Sequence, residues 1–196
     1  MVLVLFCITL ISGACVGLVN MITKGPIAKA KAEAEKRALA EVLPEFDKVE
    51  KKEFKVDGLQ IAAYTALKGQ DTVGYAINSA SKKGFGGVIT MMVGFDTHGT
   101  ILNVKVLSQS ETPGYGAEMV KPGNSLISSI KGKEASQIKL TIKKKNSGGD
   151  IEALSGATIS SRAYADAVAR AYSVFKYVAG WSDEIQATTG ATQKNK

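Results

Sequence analysis

The chain has 196 residues, with 25 lysines and arginines against 18 aspartates and glutamates, for a formal charge of +7. That length supports one domain of ordinary size with its own core and no need of disulfides, and the two cysteines, Cys7 and Cys15, lie in the apolar leader, where they can neither staple a soluble domain nor make a metal-binding spacing. The positive charge suits an anionic membrane surface or an acidic partner; nucleic acid is not an expected partner, because Lys82-Lys83 and Lys143-Lys144-Lys145 are scattered without interleaved aromatics.

Met1 to Thr23 is rich in Val, Leu and Ile and carries no charged side chain. About 20 such residues are what a helix needs to cross the hydrocarbon core, so the segment reads as a transmembrane anchor. A cleaved signal peptide would want a basic start and a shorter apolar core, and lipidation at Cys15 would also want that start, with Leu where Ser12 stands. Lys24, Lys29 and Lys31 come after the span and nothing basic precedes it, so the positive-inside rule taken alone puts the remainder of the chain in the cytoplasm.

Gly25-Pro26 is expected to end or kink the anchor, and Ile27 to Leu43 reads as an exposed helix that stops before Pro44. Residues 24–50 then form a membrane-proximal helix and linker, 51–182 the folded domain and 183–196 a polar tail. Strands are predicted at Leu59 to Leu67, Val73 to Asn78, Val88 to Phe95, Ile101 to Ser108 and Gln137 to Ile142. Turn signals at Lys68-Gly69-Gln70-Asp71 and Asp96-Thr97-His98-Gly99 separate them at hairpin distances. Short helices fit Ala117 to Val120 and Asn124 to Ile130, and a long one fits Arg162 to Val178. Strands first and a long helix last predict an α+β fold, a mainly antiparallel sheet packed on that final helix.

Ser155-Gly156-Ala157-Thr158-Ile159-Ser160-Ser161 opens the final helix. Thr158 therefore stands at a helix N-terminus, which offers unpaired N–H groups and the positive pole of the macrodipole to a phosphate; the same residue type also serves as an ordinary helix cap. Glu111-Thr112-Pro113-Gly114-Tyr115-Gly116-Ala117 is a second candidate, a tight turn whose backbone can approach a planar ligand while Tyr115 stacks on it. The alternatives are an ordinary strand-to-helix loop and, for Glu111, either orientation of backbone or ligand groups or simple solvation. Gly84-Phe85-Gly86-Gly87 lacks the P-loop Lys-Ser/Thr and the dinucleotide spacing, and reads as a glycine-rich entry to the strand beginning at Val88. His98 is the single histidine and falls in a turn, so neither a metal site nor a Ser-His pair has much to build from.

Ser155-Gly156-Ala157-Thr158 before a helix, with Gly84-Phe85-Gly86-Gly87, Val93-Gly94-Phe95-Asp96 and Glu111-Thr112-Pro113-Gly114 ahead of it in that order, resembles the FMN-binding domain family. That family includes the G subunit of Rnf electron-transport complexes and the C subunit of the sodium-pumping NADH:quinone reductase. The resemblance implies FMN held covalently by a phosphoester to the hydroxyl of Thr158. Ser155, Gly156, Ala157, Ile159, Ser160, Glu111, Thr112, Gly114 and Tyr115 would then surround it. It further implies partner subunits in a membrane ion-translocating complex and an extracytoplasmic domain on a single span; a threonine hydroxyl with no obvious histidine or metal site to activate it calls for a separate flavin transferase in maturation, and no catalytic or metal-binding residues of the chain's own are expected. Tyr115 stands where the family more often has Leu, and Glu152 where it often has Asp. Thr189-Gly190-Ala191-Thr192 repeats the motif, but the chain ends four residues later, with no room for a helix to receive a phosphate. Readings from other classes are a module binding flavin or another ligand noncovalently and a cofactor-free structural anchor; colour that survives denaturation separates the first reading from both.

Overall fold

A computed structural model of the chain describes residues 1–143, 148–186 and 192–193. Lys144, Lys145 and the triplet Thr189-Gly190-Ala191 lie outside the described residues. The chain divides into two units, Met1–Arg37 and Ala38–Lys196.

The first unit is helix alone, the greater part of α1 (Val2–Val42). Its N-terminal stretch is long and apolar enough to cross a membrane and buries none of that surface within the protein. Pro26 lies inside α1, so of the two outcomes expected of Gly25-Pro26, an end or a kink, the end does not occur. A proline removes one hydrogen bond at a cost of about 3 kcal/mol, and helix-favouring Ala, Lys and Glu on its C-terminal side carry the helix on.

The second unit is built on a five-stranded antiparallel sheet in the order β1-β2-β3-β4-β5: β1 (Lys48–Val56), β2 (Leu59–Lys68), β3 (Asp71–Ser81), β4 (Ile89–Phe95) and β5 (Ile101–Ser108). Strand side chains alternate between faces, and both faces are covered. Ile61, Ala63, Ile77, Ile89, Met91, Val93 and Phe95 share a core with α3 (Thr158–Val178), whose Ala163, Ala167 and Ala171 repeat every four residues and let the backbones approach. Tyr64, Ala66, Ala76 and Met92 pack instead against Ala38, Leu39, Val42 and Leu43, the end of α1 and the residue after it. Burial on both sides is why β4 reads Ile-Thr-Met-Met-Val-Gly-Phe without polar alternation. Gly94 is the point of closest approach, since a Cβ there would collide with the Val42 carbonyl oxygen.

Four predicted strands and the α+β class agree with the structure, while β1 escaped the pattern. Its lysines sit on a sheet edge, where charge guards against further pairing. The readable signal was Asp57-Gly58, both at positive φ in the two-residue turn between β1 and β2. Gln137 to Ile142 forms no strand; Ile142 makes only an isolated parallel bridge to Ile151. The Asp150 carboxylate accepts from the Lys139 N–H (2.7 Å), folding the segment into a loop that buries both isoleucines. Asn124 caps the short helix α2 (Ser125–Ser128) by accepting from the N–H groups of Leu126 and Ile127. Beyond α3, β6 (Ile185–Gln186) pairs with β7 (Thr192–Gln193), and Ile185 joins the main core.

One buried cation ties the hairpin turn to the final helix. Arg170, with its side chain 3% exposed, pairs with Asp57 (3.1 Å) and Asp166 (3.0 Å) and donates to the Ala80 carbonyl. Burial raises the Asp166 pKa, but hydrogen bonds from Lys83 and Ser81 and the Arg170 charge outweigh it and hold the carboxyl below its ordinary value. Because the folded value is the lower one, this contribution is complete above the unfolded pKa of about 4 and is lost as pH falls through the folded value. Arg170→Met takes the buried cation away from Asp57 and Asp166, of which Asp166 keeps its bonds from Lys83 and Ser81, and is expected to lower the unfolding free energy by about 3–5 kcal/mol at neutral pH. Urea denaturation followed by Trp181 fluorescence checks this, and the deficit should shrink as the pH falls through the lowered Asp166 value.

Candidate functional site

Three segments far apart in the chain meet at the N-terminus of α3. The first is the loop Gly84-Phe85-Gly86-Gly87 ahead of β4, the second the turn after β5, and the third the start of α3 itself. Together they enclose a hollow of ≈ 450 Å³, lined by Phe85, Thr112, Tyr115, Gly116 and the run from Gly156 to Ser160. That size is within the range of small-molecule sites. None of these lining side chains carries a formal charge, and Phe85, Tyr115 and Ile159 are exposed to roughly half or more of their surface.

Each segment is shaped by local chemistry. In Thr112-Pro113-Gly114-Tyr115 the Thr112 carbonyl accepts from Tyr115 and Ala117 (both 3.2 Å), with Pro113 at the second turn position and Gly114 at φ +78°. In Leu154-Ser155-Gly156-Ala157 the Ala157 N–H bonds back to Leu154 (3.2 Å) around Gly156 at φ +68°. Ser161 clamps this second turn: its hydroxyl donates to the Ala157 carbonyl (2.8 Å) and accepts from the Leu154 N–H (3.0 Å). The ring of Tyr115 lies against Gly156, where even a Cβ would come within 2.9 Å of it.

Thr158 is the first residue of α3, exposed, and on the wall of the hollow. The residue in the capping position is Ala157, which offers no side-chain cap. Of the readings open for Thr158, the cap is thus removed, since capping needs a side chain one residue earlier, and the first-turn N–H groups are left available to an acceptor.

The three segments are joined through Glu111, which is 5% exposed. Its carboxylate accepts from the N–H of Gly86 (2.9 Å), the N–H of Phe85 (3.3 Å) and the hydroxyl of Ser160. The choice left open for Glu111 resolves to orientation of the backbone, not solvation. Three glycines make room for it: a Cβ on Gly84 would lie 2.7 Å from Oε1, one on Gly116 would lie 2.9 Å from Oε2, and one on Gly86 would strike the Ser110 carbonyl.

Of the residues singled out from the sequence, Thr112, Tyr115, Gly156, Ala157, Thr158, Ile159 and Ser160 line the hollow. Ser160 turns its hydroxyl to Glu111. Gly114 and Ser155 face a neighbouring depression of ≈ 360 Å³, from which Tyr115 divides the main hollow. Gly116, part of the turn singled out as the second candidate, also lines the site, as does Phe85, which was missed; an aromatic residue between glycines was the available signal for Phe85. His98 is exposed in its turn, where Asp96 accepts from the N–H groups of His98 and Thr100 (both 2.8 Å).

Comparison with known proteins falls on the same segments. The FMN-binding domain family matches residues 84–173, from the glycine-rich loop through most of α3. The chain is 31% identical over 161 residues to the G subunit of the proton-translocating ferredoxin:NAD(+) oxidoreductase complex of Clostridium ljungdahlii, covering 82% of each chain. It is 26% identical over 188 residues to the G subunit of the Na(+)-translocating ferredoxin:NAD(+) oxidoreductase complex of Acetobacterium woodii, covering 89% of each. With the G subunit of the ion-translocating oxidoreductase complex of Shewanella amazonensis it shares 31% over 174 residues, covering 82% of this chain and 80% of that one.

Glu111→Gln keeps the shape but leaves an amide nitrogen facing N–H donors, and is expected to cost about 1–3 kcal/mol of stability. Ser160→Ala leaves both backbone donors satisfied and is expected to cost less, about 0.5–1.5 kcal/mol. Urea melts of the two variants beside the parent decide the order, and a Glu111→Gln protein as stable as the parent would contradict it.

Proposed function

The chain belongs to the G-subunit family of ion-translocating oxidoreductase complexes and carries an FMN-binding domain, and from that premise we propose that it is an electron-carrying member of such a complex, with FMN esterified to Thr158. The observation that carries this reading is the exposed Thr158 hydroxyl at an end of α3 without a side-chain cap, on the wall of a hollow with two exposed aromatic rings.

The residues present fit the group. Phe85, Tyr115 and Ile159 offer apolar faces to a planar ring system, and the glycines at 116 and 156 admit close backbone approach. The free N–H groups and positive pole at the start of α3 suit a phosphate on the first residue. When bound, FMN supplies reversible electron uptake and release, which side chains lack.

Thr158 is a weak nucleophile, and the lining around it offers no histidine to activate it. A separate transferase acting on FAD therefore installs the flavin. The Thr158 oxygen forms a bond to the flavin-side phosphorus, the pyrophosphate P–O bond breaks, AMP leaves, and the hydroxyl proton passes to a base of the transferase. The apolar N-terminal helix anchors the protein in the membrane, and the flavin domain follows it. The domain is extracytoplasmic, and its electrons come from and go to neighbouring subunits.

Thr158→Val is expected to abolish covalent flavin, while Thr192→Val keeps it. In-gel fluorescence after denaturation reads this directly, and protein made without a transferase should be colourless. The isolated domain mixed with NADH in a stopped-flow spectrometer should show no rapid bleaching of flavin absorbance, whereas the assembled complex should; rapid reduction of the isolated domain would mark a self-contained dehydrogenase. In intact cells, added protease should digest residues beyond about Lys24, and protection until lysis would place the domain in the cytoplasm.

A further inference from the structure

A phosphate esterified to FMN on one side and to Thr158 on the other keeps one negative charge, and the hollow beside Thr158 has, among the described residues, no cationic side chain in its lining. We propose that Arg162 is the charge partner of that phosphodiester, holding the phosphate end of the flavin against the first turn of α3. This rests on the reading of Thr158 as the attachment site.

Arg162 lies four residues after Thr158 in α3, and both residues are exposed. Positions i and i+4 are neighbours on one helix face, and helical side chains lean toward the N-terminus. A side chain at 162 can therefore reach back over the turn that carries Thr158.

Arg162 is also available. Its own i+4 neighbour is Asp166, the natural ion-pair partner on an exposed helix face. That carboxylate is already committed, Oδ1 to Lys83 (2.6 Å) and Oδ2 to Ser81 (2.7 Å) and Arg170 (3.0 Å). Among the described residues no carboxylate pairs with Arg162, whereas Arg37 pairs with Glu33 and Arg170 is doubly engaged. The nearby lysines are occupied as well: Lys83 with Asp166 and, at the edge of the neighbouring depression, Lys121 with Glu118 (2.6 Å). A guanidinium offers paired donors matched to phosphate oxygens, and its charge adds to the helix pole that faces the same group.

The test uses the full chain, co-produced with a flavin transferase and purified in detergent, as the parent, Arg162→Gln, Arg162→Lys and Lys52→Gln. The readouts are intact mass, phosphorus NMR of the diester in native and denatured protein, and time-resolved anisotropy of flavin fluorescence. In the parent, the diester resonance should shift between native and denatured states. Arg162→Gln should lose most of that shift and show a more mobile flavin at unchanged melting temperature. Arg162→Lys should recover part of both, and Lys52→Gln, the same charge loss on the edge strand β1, should behave as the parent. Failure of Arg162→Gln to accept FMN while Arg162→Lys accepts it would support the same assignment. A diester on Thr158 whose resonance and mobility are the same in Arg162→Gln as in the parent overturns the role of Arg162 alone. A parent with no FMN on Thr158 overturns the attachment reading and this inference with it.

Discussion

The site depends on one buried carboxylate. Glu111 leaves the end of β5 and turns inward, where it accepts hydrogen bonds from two consecutive N–H groups of the loop ahead of β4 and from a hydroxyl in the first turn of α3. Burying such a group is costly unless its acceptors are filled, and here filling them draws three remote segments together. The same contacts set where Phe85, Tyr115 and Thr158 stand around the hollow. They also explain three glycines, since side chains at 84, 86 or 116 would collide with the carboxylate or with the backbone that presents it.

The sheet gives this arrangement a rigid base. One face is filled by α3 and the other by the end of α1, so β3 and β4 lie at the centre of two cores. Two glycines on those strands, Gly74 and Gly94, admit the chain as it leaves α1, with Leu43 and Val42 at their surfaces. On the α3 side, the Ser79 hydroxyl donates to the Ala167 carbonyl (2.8 Å) and Arg170 reaches back to the Asp57 turn. These contacts fix α3 along its length, and with it the position of its first residue, which is where the chemistry is proposed to occur.

The lining of the hollow matches a cofactor more than a diffusible reactant. It presents two exposed rings and an aliphatic side chain, has no formal charge and contains no histidine. Such a surround can bind and orient a planar group but has little means of moving protons. Chemistry then has to come from what is bound, which on the proposed reading is an FMN tethered at Thr158.

Local residues by themselves determined a good deal. The uncharged leader, the Ala-rich final helix, the turn-forming Pro113-Gly114 and Gly156, and the placement of Thr158 at a helix start come from composition and spacing, because each depends on neighbours within a few positions. The resemblance carried by the ordered motifs pointed to the FMN-binding domain that the comparison then matched over residues 84–173. What only the tertiary structure decided was the part that depends on distant partners. The lysine-rich sequence of β1 hid that strand, even with the turn signal Asp57-Gly58 after it. Gln137 to Ile142 had strand-like residues yet became a loop, because Asp150 and the burial of Ile142 and Ile151 outweighed propensity. Glu111 could have been a solvated acid until its donors, 25 and 49 residues away in the chain, were brought within bonding distance. Phe85 became a wall of the site for the same reason: its loop is held by a residue that spacing alone could not connect to it.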